Sequence, residues 1–440
     1  MAFPLDVSWL FLAIATIGAL FTLNVHWPLR RPAPLAVASF LAGWLTSELV
    51  GHTLLAQVGL AAACVALGAL SDWPGWVGLG VDIVSWLFLA KCLESARAAE
   101  GVVDRALREG LGEDYSARID PSVRDLPPLR FGWSQLLFPF FIRHPDVQRM
   151  RDIVYHEGNG LELHLDVYRQ RRQLRDRPVL LQIHGGAWVV GNKNQQGLPL
   201  VTHLASRGWI CVSANYRLSP RATFPDPLLD LKRVLAWIRE NIAALGGDPN
   251  FVVVTGGSAG GHLASLVALT ANDRTLQTGF EHVDTSVRAC VTFYGVYDFT
   301  DRFGVWPHKG LMRLLETAVV KASFKLARER FEKASPIGHT HAQAPPFLVI
   351  HGDRDTLVPV AEARHFVEAL RKTSKAPVVY AEVPGAQHAF EVFPSLRTAL
   401  VVHGVERFLN TIYSTYLSDR EGEQQLAALA ELNVSAGARE

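Results

Sequence analysis

The chain has 440 residues, 43 Lys and Arg against 42 Asp and Glu, and 49% hydrophobic residues. That length holds more than one structural unit, and a balanced charge without a basic cluster among aromatics offers nothing to nucleic acid. Four cysteines, none in C-x-x-C spacing, give no metal site and do not decide the compartment.

The first 90 residues differ in kind from the rest. Their only charged side chains are Asp6, Arg30, Arg31, Glu48, Asp72 and Asp82, and they hold six of the 11 tryptophans. Residues 7–27 carry no formal charge and reach the roughly 20 residues that cross a bilayer. Their length, without a basic leader or a small-residue cleavage site, argues against a removable signal peptide. Residues 34–70 are too long for one untilted span and hold Glu48 and His52 near the middle, and residues 73–90 are a further candidate. Trp27, Trp73 and Trp76 fall near predicted ends, where aromatic belts form. Any one segment could be a buried core helix. Their succession predicts a multi-pass transmembrane helical region over residues 1–93, of three or four spans.

Arg30 and Arg31 follow the first span, and Lys91, Arg97, Arg105 and Arg108 follow the last. The positive-inside rule puts both groups in the cytoplasm, which requires three spans and a cytoplasmic domain beyond them. If residues 34–70 were a hairpin of two short spans, that domain would lie outside. We expect an anchor separate from the chemistry. Residues 94–151 then read as a linker, whose apolar stretch at 131–142 either packs on the following domain or forms an interfacial or lid element.

From 152 to 417 short apolar runs alternate with helical patterns. Strands are predicted at 152–156, 161–168, 179–183, 209–214, 251–255, 288–294, 347–350 and 378–383, and helices at 202–207, 228–245, 258–269, 361–371 and 396–417. The alternation predicts an α/β fold, an eight-stranded, mostly parallel sheet with helices on both faces. Gly158-Asn159-Gly160 reads as a hairpin turn, which makes the first strand pair antiparallel. Residues 299–344 are an insertion with Trp306, Leu311, Met312, Leu314 and Leu315, a second lid candidate. The tail at 418–440 reads as a peripheral helix or a disordered end.

The chemistry is carried at strand ends. Phe251 to Thr255 runs into Gly256-Gly257-Ser258-Ala259-Gly260 and then a helix. A serine on so sharp a turn sits in a strained backbone with its hydroxyl exposed, and small neighbours let strand and helix close around it. His184-Gly185-Gly186-Ala187-Trp188 follows another strand, and its bare glycine N–H groups suit a developing oxyanion, with Ala259 after the serine as a further donor. A base and a group to orient it are then needed. Among 16 histidines, His388 is favoured by its glycine-containing loop after the last strand. His351 ends a strand and His262 lies on the helix after the serine, so both read as structural. Asp353 and Asp355 compete for the acid. Asp353 beside Gly352 can cap the turn, whereas Asp355 lies further out toward the histidine loop, and we favour it.

These motifs resemble the α/β-hydrolase superfamily, and within it the hormone-sensitive-lipase-like bacterial esterases. The resemblance covers about residues 152–417. It is carried by the His184 and Ser258 motifs, Asn215-Tyr216-Arg217-Leu218-Ser219-Pro220 with Phe224-Pro225-Asp226, Asp248-Pro249-Asn250, the segment from His351 to Asp355, and Gly385-Ala386-Gln387-His388. It implies Ser258, Asp355 and His388 as catalytic triad, and Gly185, Gly186 and Ala259 as oxyanion hole. Ala187 stands where many relatives carry a third glycine. The implied activity is a membrane-anchored serine esterase or lipase acting on a small-molecule or lipid ester, with no cofactor or metal and an oligomeric state left open. Acyl transfer or amide hydrolysis on the same triad is one alternative, and a non-catalytic ligand-binding member of the fold is another.

Overall fold

A computed structural model describes residues 6–121, 132–158 and 160–437. Eight strands form one sheet in the order β1-β2-β4-β3-β5-β6-β7-β8. They are β1 Val147–Gly158, β2 Leu161–Gln170, β3 Arg177–Ile183, β4 Ile210–Ala214, β5 Gly247–Gly257, β6 Ala289–Phe293, β7 Phe347–Gly352 and β8 Val378–Val383. All eight fall where the apolar runs predict them. β2 pairs antiparallel with β1 and β4, and every other pairing is parallel. Gly158 faces Leu161 across the predicted hairpin, whose central Asn159 lies outside the described residues.

The central strands are buried on both faces because helices cover each side. Before the sheet come α1 Val7–His26, α2 Ala33–Glu48, α3 Val50–Ala66, α4 Trp73–Leu111 and the short α5 Trp133–Leu137. Within it come α6 Leu198–Ser206, α7 Asp226–Asn241, α8 Ala259–Leu269, α9 Val360–Thr373 and α10 Leu396–Gly437. On one face Leu231 and Leu235 of α7, Leu263 and Val267 of α8 and Phe366 of α9 pack against Val254 and Val349. On the other, Leu204 of α6, Val405 and Phe408 of α10, and Val103 and Leu107 of α4 pack against Val253 and Val291.

The presence of α4 in that core changes the expected organisation. The boundary at 93/94 falls inside a 39-residue helix, so the first part of the expected linker is a core helix. Ala96, Ala99, Val103, Ala106 and Leu107 are buried at helical spacing, while Glu94, Arg97, Glu100, Arg105 and Arg108 are exposed. The apolar stripe with charged residues between its members is that of an amphipathic helix and not of a linker. A Cβ at Gly110 would fall 2.6 Å from Val379 Cγ2, so α4 lies close against β8. Residues 122–131 of that expected linker lie outside the described residues.

The N-terminal helices have a definite arrangement. α1 and the first half of α4 run side by side in the same direction, with Trp9 meeting Trp73 at 5.3 Å and His26 meeting Phe88 at 5.1 Å between ring centroids. α3 runs back between them: Val50 packs with Val25 and Leu89 at one end, and Cys64 with Phe11 and Ala15 at the other. α2 meets α3 at 90°. Among the described residues, α1 and α4 are long and apolar enough to cross a membrane, and the bent pair makes a third span if taken as one. α10 continues through the expected tail to Gly437.

Candidate active site

Ser258 lies between β5 and α8 with φ 58° and ψ −123°, a conformation most side chains avoid. It holds because the elbow around it is closed by glycine. A Cβ on Gly260 would fall 2.2 Å from the Ile183 carbonyl oxygen, so only glycine lets α8 approach the end of β3.

Asp355 is carried by the loop after β7, and His388 by the loop after β8. His388 Nε2 lies 2.8 Å from Ser258 Oγ, and its Nδ1 lies 2.6 Å from Asp355 Oδ2. With the proton on Nδ1, the ring donates to Asp355 and accepts from the serine hydroxyl. The structure thus brings the three predicted residues into one hydrogen-bonded row. Asp355 Oδ1 also accepts the N–H groups of Leu357 and Val358, at 2.8 and 2.9 Å. Burial by itself would raise this carboxyl. The charge of His388 and hydrogen bonds from His351 and His388 outweigh it and hold Asp355 well below its ordinary value. Asp353 does something else: its Oδ1 accepts the Gly385 N–H at 2.7 Å and tethers the histidine loop.

His262 is structural, as expected. It accepts from Trp188 Nε1 at 3.1 Å and pairs with the Ala334 carbonyl at 2.7 Å, and burial lowers it to about 3. His351 has a closer connection with the row than its strand-end position foretold, since its Nε2 lies 3.2 Å from Asp355 Oδ2 and 3.0 Å from the Val358 carbonyl.

The loop expected to hold the oxyanion requires one correction. The Gly185 N–H donates to Gln196 Oε1 and is already engaged. Glycine is needed there for room, because a Cβ would fall 2.7 Å from the Gly257 carbonyl oxygen. By contrast, the N–H groups of Gly186, Ala187 and Ala259 meet no acceptor among the described residues. Gly186 has φ +112°, and a Cβ there would lie 2.0 Å from the Val190 carbonyl oxygen. Ala187 tolerates φ 53° without being glycine and leaves its donor in place.

Several residues around the row had no sequence signal. Gln196 Nε2 donates to the Tyr294 hydroxyl at 3.2 Å, and that hydroxyl donates to Glu391 Oε2. The Tyr294 ring lies 4.5 Å from the His388 ring, so one chain of contacts joins the Gly185 loop to the His388 loop. Burial pushes Glu391 up to about 7 against the lowering effect of the Tyr294 hydrogen bond. Gln387 Oε1 accepts the N–H groups of Thr356 and His388, at 2.8 and 2.9 Å, and clamps the acid loop to the base loop. Gln387 is next to His388 in the motif, a signal that could have been used.

The N-terminal helices also reach this site. Thr356 Oγ1 donates to the Ala36 carbonyl at 3.1 Å, Trp44 Nε1 donates to the Ala389 carbonyl at 2.8 Å, and the Phe40 ring lies 5.9 Å from the His388 ring. The expectation of an anchor separate from the chemistry therefore fails at α2, which packs on the loops carrying both Asp355 and His388. The insertion at 299–344 packs on the core through Leu315, Val319 and Phe331, and Ala33 of α2 lies against its Gly310. Among the described residues no three His, Cys, Asp or Glu side chains gather as metal ligands.

A mostly parallel eight-stranded sheet with a serine on a strained strand-to-helix elbow, and acid and histidine on later loops, defines an α/β-hydrolase. The family model described as BD-FAE matches residues 165–370. A probable carboxylic ester hydrolase, LipM of Mycobacterium tuberculosis, is 43% identical over 410 residues, covering 92% of this chain and 93% of that one. Esterase LipQ of the same organism is 38% identical, with 91% and 90% covered. The chain belongs to the hormone-sensitive-lipase-like α/β-hydrolases. A truncated carbohydrate esterase from gut microbiota shares the fold, with a TM-score of 0.51 and 23% identity over 60% of this chain and 99% of that one.

Proposed function

We propose that this carboxylic ester hydrolase acts through an acyl-enzyme on Ser258 while anchored in a membrane. The hydrogen-bonded row from Ser258 through His388 to Asp355 is the observation that carries the reading. His388 Nε2 takes the hydroxyl proton as Ser258 Oγ attacks the ester carbonyl. The N–H groups of Gly186, Ala187 and Ala259 receive the developing oxyanion. His388 then passes its proton to the leaving alkoxide, which departs as the alcohol. Water, deprotonated by the same nitrogen, releases the carboxylic acid and restores the serine. Asp355, held ionised, fixes the imidazole tautomer and stabilises the imidazolium in each half-reaction.

We infer three crossings, namely α1, the bent pair counted with α3 as its spanning half, and the first half of α4. The parallel course of α1 and α4 supports this, because it obliges the chain to return between them. Arg30, Arg31, Lys91 and Arg97 then share the side of the hydrolase domain, which favours the cytoplasm. Alkaline carbonate washing tests the anchoring, and release of the full chain from membranes would refute it. A fluorophosphonate probe on the full-length protein in detergent tests the mechanism. It should label the native chain and not Ser258→Ala. Product analysis with added alcohol or amine acceptors distinguishes hydrolysis from acyl transfer.

A further inference from the structure

We propose that α2 is a wall of the ester site, and that the substrate is a bilayer-dissolved ester whose apolar chain lies against Phe40 and Trp44 while its carbonyl is at Ser258. This rests on the acyl-enzyme reading above. α2 has two apolar faces with different neighbours. Leu35, Val37, Leu41 and Leu45 are exposed, whereas Ala36, Phe40, Gly43 and Trp44, at i, i+4, i+7 and i+8, turn toward the catalytic loops. Because α2 lies at 90° to α3, which runs along α1 and α4, it lies across the end of the helix bundle nearest the hydrolase domain. A helix so oriented and so apolar on its outer face lies in the membrane interface. Its inner face meets the imidazole.

An aromatic row leads away from that imidazole. Phe40 lies 5.9 Å from His388, Phe40 stacks on Trp44 at 5.3 Å, Trp44 on Phe393 at 4.7 Å, and Phe393 meets Phe140 edge-on at 5.4 Å. Phe140 belongs to the apolar stretch at 131–142, where Trp133, Leu137, Phe138 and Phe141 are also exposed. At the bend between α2 and α3 is a separate cavity of about 310 Å³, walled by Leu49, Val50, Leu55, Trp133 and Leu137 together with the Glu48–Arg397 pair. That volume is at the lower end of the range for ligand pockets. An alkyl chain moving from the bilayer to a water-facing serine would expose every methylene on the way. A path along Phe40 and Trp44 keeps the chain against apolar surface from membrane to site. α2 is also firmly held: beyond Ala36 and Trp44, its Glu48 pairs with Arg397 and accepts from Ser395 Oγ at 2.7 Å. The inner face is therefore a fixed surface against which chain length can be read.

The test uses the full-length protein in detergent micelles with two substrate series: p-nitrophenyl esters from acetyl to palmitoyl, and acetates of alcohols of rising length. In Phe40→Ala, the ratio of kcat/KM for long over short chains should fall by about tenfold or more in one of the series, as expected for lost apolar contacts. The series that responds identifies the end of the ester lying on α2. Phe40→Trp, which fills space instead of emptying it, should shift the preferred length toward shorter chains. Equal losses on short and long esters, or a ratio within about twofold of wild type in both series and both variants, would overturn the proposal. Fluorophosphonate labelling keeps the two readings apart. A native chain that does not label removes the acyl-enzyme reading itself, whereas normal labelling with an unchanged length profile removes only the wall.

Discussion

At the scale of single residues, Asp355 and Asp353 show how two carboxylates two positions apart divide their work. Asp355 is fully buried and bonded to His388, His351 and two backbone N–H groups, whereas Asp353 accepts from Gly385. Asp355→Asn should therefore lower kcat by about 10^4, because the amide can stabilise the wrong imidazole tautomer. Asp353→Asn should cost far less, and steady-state kinetics on a short ester checks both. Ser258→Ala should lower kcat by about 10^6 in a protein whose thermal unfolding is unaltered. The serine, the acid and the histidine were legible because each occupies a motif at a strand end. Gln196, Tyr294 and Glu391 were not, since their contact chain joins positions that only the folded sheet brings together. Glu391 adds a pH dependence of its own. Its ordinary value is 4.5 and the folded protein pushes it up to about 7, so folding favours the protonated form. That contribution is fully present below about 4.5 and is lost as pH rises through about 7. Glu391→Gln should flatten the fall in unfolding free energy between pH 5 and pH 8. Glu362, pushed up to about 8 chiefly by burial, contributes a decline of the same sign that the variant retains. An unchanged slope in denaturant titrations at the two pH values would show that Glu391 does not titrate in that window.

At the scale of elements, the contact between α2 and the start of α10 is a buried ion pair, with Glu48 5% and Arg397 1% exposed. A buried pair adds little net stability when intact, but removing one partner strands a charge, at about 3–5 kcal/mol. Glu48→Leu alone should be strongly destabilising, and Glu48→Leu with Arg397→Met much less so, as read by thermal unfolding in detergent. Additive losses would mean that the two side chains are not coupled. From sequence, Glu48 was an anomaly within an apolar stretch, and the explanation lies 349 positions away in the chain. That residues 34–70 exceed one span was legible from their length, whereas the 90° angle between α2 and α3 was not, because Leu49 is neither proline nor glycine. Periodicity in β3 to β8 was readable because strands buried on both faces are simple apolar runs. In α4 an almost uncharged first half and an amphipathic second half carry different signals, so composition divides one helix in two.

At the scale of the whole molecule, the apolar helices and the hydrolase domain are not two units joined by a linker. α4 belongs to both: its first half packs with α1, and its second half, from Ala96 to Leu107, packs on β8 and α10. Composition separates apolar helices from the α/β region but could not show the shared helix, since composition carries no contacts. A chain beginning at Glu94 keeps the stripe that covers β8 and loses Ala36, Phe40, Trp44 and Glu48. Arg397 is then left without its carboxylate, and the Thr356 and Ala389 contacts that brace the acid and base loops are gone. Such a chain should hydrolyse even p-nitrophenyl acetate at least about tenfold more slowly than the full-length protein in detergent, with kcat falling more than KM rises. Circular dichroism and fluorophosphonate labelling of the same sample separate a misfolded chain from a folded one with loosened loops. Full activity on the short ester would mean that the two loops hold their geometry unaided, and that α2 only adjoins the site.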